Sequence, residues 1–362
     1  MKVAIMGAGL SGLACAITLE KHGISPAVFE VRERLGDRFV NAESMLSILQ
    51  KPITDPVAFF AEKHGIYLKP TASIQRLLVF SQSQKAEIEG SLGFINYRGR
   101  HEHAFERQLG RQVKSAIQYR SKATYEELLM EYTHVVVATG DGEYTRKMHN
   151  FRTDLTVSLK GAMVTGDFDR YTPCAWLDYS YMEKGYGYLL PLSYTEANLV
   201  MAYPDYPEND RLDVDERWGL FYERVCRDLR QPLRITSHFH VTGYPIGICR
   251  RARIGNTFFV GNCFGALMPF LGFGQFTALL TGIYAAYDIC GKGAYEELTQ
   301  PLRRSYENSL VLRRAVERLD NEDLDRIVPV LGSRWGESIL QGKSFNALRW
   351  LAFALRPWMT KR

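Results

Sequence analysis

Three glycines near the amino terminus have the spacing of a phosphate-binding turn. The stretch GAGLSG places them at Gly7, Gly9 and Gly12, in the pattern G-x-G-x-x-G. In a strand–turn–helix unit the first glycine permits a tight turn, the second lets the backbone approach a pyrophosphate, and the third lets the helix pack closely on the strand. Because three glycines also reach this spacing by chance in loops, the neighbouring elements decide whether the turn binds a ligand.

The elements around these glycines are those of a βαβ unit. Residues 2–6 (KVAIM) are predicted to form a strand, residues 13–22 (LACAITLEKH) have the apolar spacing of a helix, and residues 26–30 (PAVFE) form a second strand. This strand ends at Glu30, 18 residues after Gly12. A carboxylate there accepts hydrogen bonds from a ribose diol and repels a 2′-phosphate. The unit therefore predicts a dinucleotide site, with a glycine-rich turn that holds no ligand as the alternative.

Length and composition are those of an ordinary globular chain with room for two or more structural units. Its 362 residues are enough to bury a large core. The net charge of +5 is small, and no zinc-finger or helix-turn-helix signal accompanies it, so no nucleic-acid partner is expected. The six cysteines include no C-x-x-C pair, which favours reduced thiols in the cytoplasm.

Other site patterns are missing from the sequence or incomplete. There is no G-x-S-x-G elbow, no H-E-x-x-H and no Walker A lysine, which argues against hydrolase and NTPase chemistry. His101 with His103, and His238 with His240, have i, i+2 spacing, but no further ligand array completes either pair, so no metal site is predicted. Residues 254–287 carry no charge, yet glycines and a proline interrupt them, which predicts a strand, a turn and a buried helix rather than a membrane span.

Three further segments favour FAD over a nicotinamide dinucleotide. They are VRERLGDR (31–38), HVVVATGDG (134–142) and FFVGNCFGALMPFLGFGQFTALLTG (258–282). The first resembles the segment that follows the ribose acid in FAD-dependent oxidoreductases, with a solvated basic loop as the alternative. The second resembles the A-T-G turn by which flavoproteins return to the first sheet. The third resembles the V-G-D-A-A-G…P-x-x-G-x-G-I segment shared by the para-hydroxybenzoate hydroxylase fold and the geranylgeranyl reductase family.

This resemblance implies a fold of the α/β class. It consists of a glutathione-reductase-type Rossmann domain that binds FAD, an inserted and mainly antiparallel substrate domain, and a helical C-terminal extension. Because the motifs lie at three separate places, the FAD domain is expected to be discontinuous, over residues 1–76, 96–150 and 250–294. The substrate domain is expected over residues 77–95 and 151–249, and the extension over residues 295–362.

The same resemblance implies a set of cofactor-binding residues. The helix after P-x-x-G-x-G is expected to direct its N-terminus at the flavin ring, where it stabilises negative charge that develops on reduction. Asn262 stands where the family usually has Asp, so its contact with ribityl hydroxyls is expected to be weaker. Residues 96–112 resemble the part of this fold in which an Arg or Gln early in a helix contacts the cofactor, so Arg107 and Gln108 are candidates, with a role outside the cofactor site as an equal alternative. The implied set is Gly7, Gly9, Leu10, Ser11, Gly12, Glu30, Val31, Arg38, Gln108, Thr139, Gly140, Gly261, Asn262, Pro269, Gly272, Phe273, Gly274 and Gln275.

Two shorter segments bear on the reaction. GYGYLLP (185–191) resembles the Y-x-W-x-F-P stretch of geranylgeranyl reductases and implies that Tyr186, Tyr188 and Phe273 line a substrate cavity, with core packing as the alternative for the two tyrosines. Archaeal members often carry Cys-Gly-Glu where this chain has NAESM (41–45), so a mechanism that uses that cysteine is not available. Aromatic hydroxylases carry A-D-G-x-x-S where this chain has ATGDGE, which weakens the monooxygenase interpretation.

The resemblance to geranylgeranyl reductases implies an FAD-dependent oxidoreductase that reduces C=C bonds of an isoprenoid or another apolar or lipid substrate, by hydride from reduced flavin and a proton from an unidentified donor. A flavin monooxygenase of the same fold, and a flavin-containing membrane-associated protein without turnover, are the alternatives. No second glycine fingerprint is present, so the electrons are expected from NAD(P)H or a small electron-transfer protein. The basic, amphipathic end SFNALRWLAFALRPWMTKR suits the inner face of a membrane, or alternatively packing on the protein's own domain or on a dimer mate.

Overall fold

Two β-sheets organise the part of the chain that the structure, a computed structural model, describes. The described residues are 1–36, 42–334, 336 and 347–359. One sheet is almost entirely parallel and carries the glycine-rich turn, whereas the other is mainly antiparallel and is built from the intervening segments. Arg38, a predicted cofactor residue, lies outside the described residues.

Runs of consecutive strands belong in turn to the first and to the second sheet. In chain order they are β1 Val3–Met6, β2 Ala27–Phe29, β3 Ala42–Leu46, β4 Ala72–Phe80, β5 Lys85–Tyr97, β6 Ile117–Gln118, β7 His134–Val137, β8 Phe151–Thr165, β9 Cys174–Trp176, β10 Tyr186–Pro191, β11 Glu196–Pro204, β12 Arg234–Cys249, β13 Arg253–Ile254 and β14 Thr257–Phe259. The helices are α1 Leu10–Lys21, α2 Pro56–His64, α3 Phe105–Gly110, α4 Tyr125–Glu131, α5 Glu143–Lys147, α6 Val214–Leu229, α7 Gln275–Ile289, α8 Tyr295–Val316, α9 Asn321–Leu331 and a C-terminal helix Ala347–Met359.

The first sheet has the strand order β13-β14-β7-β1-β2-β6. The pairs from β14 to β6 are parallel, and only the short pair of β13 and β14 is antiparallel. All four residues of β1 are buried, because helices cover both faces of a parallel sheet. Helix α1 packs on α7 so closely that a Cβ atom added to Gly282 would lie 2.0 Å from the Ser11 carbonyl oxygen. This helix pair forms the centre of the largest hydrophobic core.

The second sheet has the strand order β12-β8-β11-β10-β9-β4-β5-β3, in which only the pair of β4 and β9 is parallel. Helix α6 packs its apolar face, including Trp218 and Phe221, on one side of this sheet. The backbone approaches that helix at Gly187, where an added Cβ atom would lie 2.1 Å from the Phe221 ring. Strand residues on the other side, among them Tyr186 and Tyr188, line a cavity described below.

This architecture confirms the predicted fold class: a parallel Rossmann sheet, an inserted and mainly antiparallel sheet, and helices at the C-terminal end. Residues 254–287 also form the predicted elements, because β14 leads through a turn into the buried helix α7. Three short segments predicted for the FAD domain belong to the second sheet, and one of them is residues 96–97 at the end of β5. Residues 42–46 and 72–76, which the sequence placed in the FAD domain, are strands of the second sheet, since β3 and β4 both pair with β5.

The C-terminal helices pack on one another. Ala352 of the C-terminal helix is buried against Val311 and Leu312 of α8. The neighbouring Trp350 and Phe353 are 59% and 69% exposed. The helix therefore packs on the protein's own domain through one face and leaves aromatic side chains in solvent. Within the described ranges, no helix combines the length and the apolar character needed to cross a bilayer.

Candidate functional site

One cavity brings together most of the predicted site residues. Its volume is about 1350 Å³, which exceeds the roughly 300–1,000 Å³ usual for a pocket that holds a small ligand. The predicted residues that line it are Gly7, Gly9, Leu10, Ser11, Glu30, Val31, Thr139, Gly140, Tyr186, Tyr188, Gly261, Asn262, Pro269, Gly272, Phe273, Gly274 and Gln275.

The three glycines of the turn have different structural roles. Gly7 has φ +115°, and an added Cβ atom would lie 2.2 Å from the Ala138 carbonyl oxygen. On Gly12, an added Cβ atom would lie 2.0 Å from the Gly7 carbonyl oxygen, so this glycine lies beneath the turn rather than in the cavity wall. Gly9 has an ordinary extended backbone, and an added Cβ atom would meet no protein atom within 4 Å. The fold thus requires Gly7 and Gly12, whereas Gly9 leaves open space for a ligand.

Glu30 connects the turn to the end of β2. Its carboxylate accepts a hydrogen bond from the Ala8 N–H at 2.9 Å and another from the Arg32 N–H at 3.0 Å. The side chain is buried but lines the cavity. Because an ionised carboxylate has about four acceptor sites, these two bonds leave capacity for ribose hydroxyls. Glu30 therefore braces the turn in addition to its predicted role.

Two helix N-termini meet the cavity. Helix α1 begins at Leu10 and α7 begins at Gln275, and neither has a side-chain cap. Their first N–H groups can therefore bind anionic groups of a ligand. Two further polar atoms, Ser47 Oγ and Gln275 Oε1, are buried near the cavity without a hydrogen-bond partner in the protein. The open space at Gly9, the two helix ends and these orphaned atoms fit FAD, whose pyrophosphate and flavin ring would each be served by one helix N-terminus.

A hydrogen-bonded group joins the turn after β7 to the turn after β14. The Asn262 amide nitrogen donates to the Tyr244 hydroxyl oxygen at 2.7 Å and to the Gly140 carbonyl oxygen at 3.3 Å. The Tyr244 hydroxyl also donates to the Gly140 carbonyl, at 2.6 Å. Since the amide nitrogen is used in this way, the amide oxygen is the atom that Asn262 would offer to a ribityl hydroxyl. Sequence reasoning missed Tyr244, because no motif marks it.

Tyr186 fixes the loop that precedes α7. Its hydroxyl donates to the Leu271 carbonyl oxygen at 2.7 Å. Burial raises the pKa of Tyr186 to about 12 and raises the pKa of Tyr188 well above its ordinary value, so both phenols stay neutral near pH 7. The two rings lie 6.0 Å apart in the cavity wall. Both tyrosines are thus packed side chains and lining residues at once.

A largely buried ionic cluster, which no motif in the sequence indicates, lies in the same wall. The Arg98 Nε donates to Glu106 Oε1 at 2.8 Å, and Arg98 Nη1 pairs with Glu43. Burial raises the pKa of the Glu43 carboxyl, although the Arg98 charge opposes this. The Glu106 charge raises that pKa further, and a hydrogen bond from the Gly274 N–H lowers it. All three side chains line the cavity.

Much of the remaining cavity wall is apolar, although charged side chains such as Lys184 and Arg313 also line it. The second sheet and the C-terminal helices provide aliphatic side chains that reach it from three directions. These are Leu77, Val79, Ile88 and Leu92 of the sheet, Leu324, Ile327 and Leu331 of α9, and Leu351 and Leu355 of the C-terminal helix. A dinucleotide at the glycine-rich end would leave this apolar part for a second molecule.

Gln108 and Arg107 are not brought to the cavity. The Gln108 amide exchanges two hydrogen bonds with the Lys69 backbone, at 2.7 and 3.0 Å, and donates a third to the His103 carbonyl oxygen at 2.7 Å. It therefore holds α3 to the segment after α2. Arg107 lines a small neighbouring pocket with Arg34 and Tyr119, and its Nε is buried without a hydrogen-bond partner.

The opening unit of the chain matches one known family. Residues 5–43 match the model of the NAD(P)-binding Rossmann-like domain. This match covers the end of β1, the glycine-rich turn, α1 and β2, which are the elements that bind the dinucleotide in such domains. A search of curated proteins found no significant match.

Solved structures with the same fold cover nearly the whole chain. A geranylgeranyl bacteriochlorophyll reductase-like protein from Thermoplasma acidophilum has a TM-score of 0.72 and 15% identity, and the alignment covers 98% of each chain. The flavin-dependent brominase Bmp2 has a TM-score of 0.69 and 14% identity, over 100% of this chain and 99% of that one. A 2-methyl-3-hydroxypyridine-5-carboxylic acid oxygenase has a TM-score of 0.61 and 14% identity, over 95% of each. The chain therefore has the fold of FAD-dependent oxidoreductases, halogenases and oxygenases, as predicted.

Proposed function

We propose that this protein is an FAD-dependent oxidoreductase that reduces C=C bonds of an apolar chain of the isoprenoid class. One observation carries the proposal: a single cavity joins a dinucleotide cradle at Gly9 to a long aliphatic wall. When bound, reduced FAD supplies the hydride. The chain's own residues bind the cofactor, exclude water around the double bond and provide the accompanying proton.

The loop before α7 supports FAD over a nicotinamide dinucleotide. A dinucleotide needs the N-terminus of α1 for its pyrophosphate, but it does not by itself explain a second uncapped helix end in the same cavity. A flavin ring does, since negative charge develops on its pyrimidine side during reduction. The Leu271 carbonyl, held by Tyr186, fixes this loop before any ligand binds. The flavin-dependent enzymes among the structural neighbours agree with this assignment.

The aliphatic wall supports an apolar substrate. Burial of apolar surface contributes about 25 cal/mol per Å², so an extended hydrocarbon chain gains affinity along this wall without specific polar contacts. The wall includes side chains from α9 and the C-terminal helix, such as Leu331 and Leu355. A chain bound there would run from the flavin ring toward the C-terminal helices. The reductase-like neighbour from Thermoplasma acidophilum is consistent with such a substrate.

A flavin monooxygenase is the second candidate. The flavin-dependent brominase and the oxygenase share the fold over nearly all of this chain, and the oxygenase is named for an oxygen-using reaction. The two functions differ in their requirement for oxygen. A reductase forms saturated product under anaerobic conditions, whereas a monooxygenase needs air and forms hydroxylated product or hydrogen peroxide. In both cases the electrons are proposed to come from NAD(P)H or a small electron-transfer protein.

The test begins with the visible absorption spectrum of the purified protein, before and after anaerobic photoreduction. We expect a flavin spectrum at close to one FAD per chain that bleaches on reduction. The reduced protein is then mixed anaerobically with geranylgeranyl diphosphate, and the products are analysed by mass spectrometry. Product that has gained two hydrogens per double bond supports the proposal. Absence of flavin, also after FAD is added, would contradict it, and reoxidation by air alone with hydroxylated product would favour the monooxygenase.

A further inference from the structure

We propose that Glu43 is the acid that protonates the substrate carbon, and that Arg98 and Glu106 are positioning residues that hold it at the cavity wall. This inference rests on the proposed function and names the proton donor for it. Residues 41–45 (NAESM) contain no cysteine, so a proton donor in this segment has to be another group.

The position of Glu43 supports this role. It lies on β3 at the end of the second sheet, and its side chain lines the cavity. Glu43 pairs across β3 and β5 with Asn96, and the Asn96 amide oxygen accepts a hydrogen bond at 3.1 Å from the side chain of Gln275, the first residue of α7. Under the proposed function, this helix end is where the flavin ring binds. Glu43 therefore lies beside the place where hydride leaves the cofactor.

The charges around Glu43 favour the protonated form of its carboxyl. Arg98 faces two carboxylates, Glu43 and Glu106, and supplies one positive charge for the pair. Tyr186 and Tyr188 also face Glu43, and both are neutral phenols in the absence of a strong base. With both carboxylates ionised, the cluster would hold a net negative charge among side chains that are at most one-fifth exposed. Protonation of Glu43 removes that charge, in agreement with the raised pKa of its carboxyl.

The neighbouring tyrosines are weaker acids than a carboxyl. The Tyr186 hydroxyl is committed to the Leu271 carbonyl, and with a pKa of about 12 it would release a proton much less readily than a carboxyl. The pKa of Tyr188 is raised well above its ordinary value. Glu30 accepts two backbone hydrogen bonds at the glycine-rich turn. Glu43 is therefore the acid best placed for proton transfer near α7.

The step balances as follows in atoms and electrons. The π bond of the substrate breaks and two C–H bonds form. One carbon receives hydride, with its electron pair, from the reduced cofactor, which is thereby oxidised. The adjacent carbon receives the Glu43 carboxyl proton, and the resulting carboxylate is stabilised by Arg98 until it regains a proton from water.

The test compares Glu43→Gln and Glu106→Gln with Glu126→Gln, a control on the exposed surface of α4. Infrared difference spectra of the full-length protein over a pH titration report the carbonyl stretch of protonated carboxyls. We expect one such signal to disappear in Glu43→Gln, to titrate at lower pH in Glu106→Gln, and to remain in the control. FAD titrations should show that Glu43→Gln binds the cofactor within about threefold of the wild type, since the amide keeps the side-chain shape.

Single-turnover kinetics then test the proton transfer. Dithionite-reduced protein is mixed anaerobically with geranylgeranyl diphosphate, and flavin reoxidation is followed by absorbance. Loss of a general acid predicts a rate for Glu43→Gln that is roughly 10²- to 10⁴-fold lower, with the control unchanged. A Glu43→Gln variant that reacts at the wild-type rate, or an infrared signal that persists in it, would refute the role of Glu43 alone. A wild type that binds no flavin would refute the proposed function itself.

Discussion

Replacement of Gly9 by alanine should separate cofactor binding from folding. The Gly9 backbone has φ −84°, which alanine adopts without strain, and an added Cβ atom meets no protein atom within 4 Å. Alanine is a poorer N-cap residue than glycine, but it also restricts the unfolded chain, by about 0.4–1 kcal/mol in favour of folding. These effects oppose each other. We therefore expect the free energy of unfolding of the cofactor-free protein to change by less than about 1 kcal/mol.

The effect on FAD affinity should be much larger. The added methyl group would occupy the space in which a pyrophosphate approaches the first N–H groups of α1. Loss of one hydrogen bond to a charged group corresponds to roughly 1.5–3 kcal/mol. This predicts a Kd for FAD that is about 10- to 100-fold higher. Titration of the apo-protein with FAD, followed by flavin fluorescence, measures the change.

Gly12→Ala is the matched control, because it adds the same methyl group three residues along the same turn. Its Cβ atom would lie 2.0 Å from the Gly7 carbonyl oxygen, so the helix has to move away from the strand. Overpacking of this kind lowers the free energy of unfolding by roughly 1–3 kcal/mol or more, which urea denaturation of the apo-protein detects. Gly9→Ala protein that binds FAD as tightly as the wild type would show that the open space at Gly9 is not the pyrophosphate site.

Three further predictions follow from individual side chains. Burial, and then the charges of Lys21 and Lys63, lower the pKa of His64 to about 4, so the unfolded chain binds a proton between pH 6.5 and 4 that the folded chain does not. The free energy of unfolding should therefore fall as the pH drops through this window, by roughly 1–2 kcal/mol after allowance for partial exposure. Urea denaturation at a series of pH values measures this. A flat pH profile for the wild type, or an equal fall in His64→Phe, would contradict the prediction. Glu30→Gln should raise the Kd for FAD about tenfold, because an amide presents one donor where the carboxylate presents only acceptors. The same fluorescence titration measures this change. An unchanged Kd would count against ribose binding at Glu30. Trp350 and Phe353 are the exposed aromatic pair on the C-terminal helix. Replacement of both with alanine should reduce cosedimentation with anionic lipid vesicles without changing the melting temperature. Equal cosedimentation of wild type and variant would contradict the predicted membrane contact of this helix.

The parts of the site that the sequence predicted are those made by short, continuous stretches. The glycine-rich turn, the acid at the end of β2 and the loop before α7 each depend on backbone conformations that a few consecutive residues determine. Gly7, with φ +115°, is an example, because no other residue type adopts that backbone readily. Local sequence therefore carried enough information for the Rossmann unit and for both helix ends.

The parts that the sequence missed depend on pairing between distant strands. Glu43 and Arg98 are 55 residues apart and meet because β3 pairs with β5, a register that neither segment reveals by itself. The same pairing explains why residues 42–46 belong to the second sheet. Gln108 had the right position in the chain for a cofactor contact, but its amide turns to the backbone of Lys69. Side-chain direction on a short helix was not readable from spacing.

The close crossing of α1 and α7 at Gly282 fixes how far apart the N-termini of the two helices lie. Because the Ser11 carbonyl leaves no space for even a methyl group at this crossing, the distance between the two helix N-termini is set by the folded core and not by the ligand. A molecule that engages both ends has to span that fixed distance. The flavin ring, ribityl chain and first phosphate are common to flavin mononucleotide and FAD, so either molecule would reach both helix ends, and only FAD carries the adenosine ribose that Glu30 would bind. The packing of the two helices would thus set the separation of ring and phosphate, and selection of FAD over the shorter flavin would depend on the ribose site at Glu30.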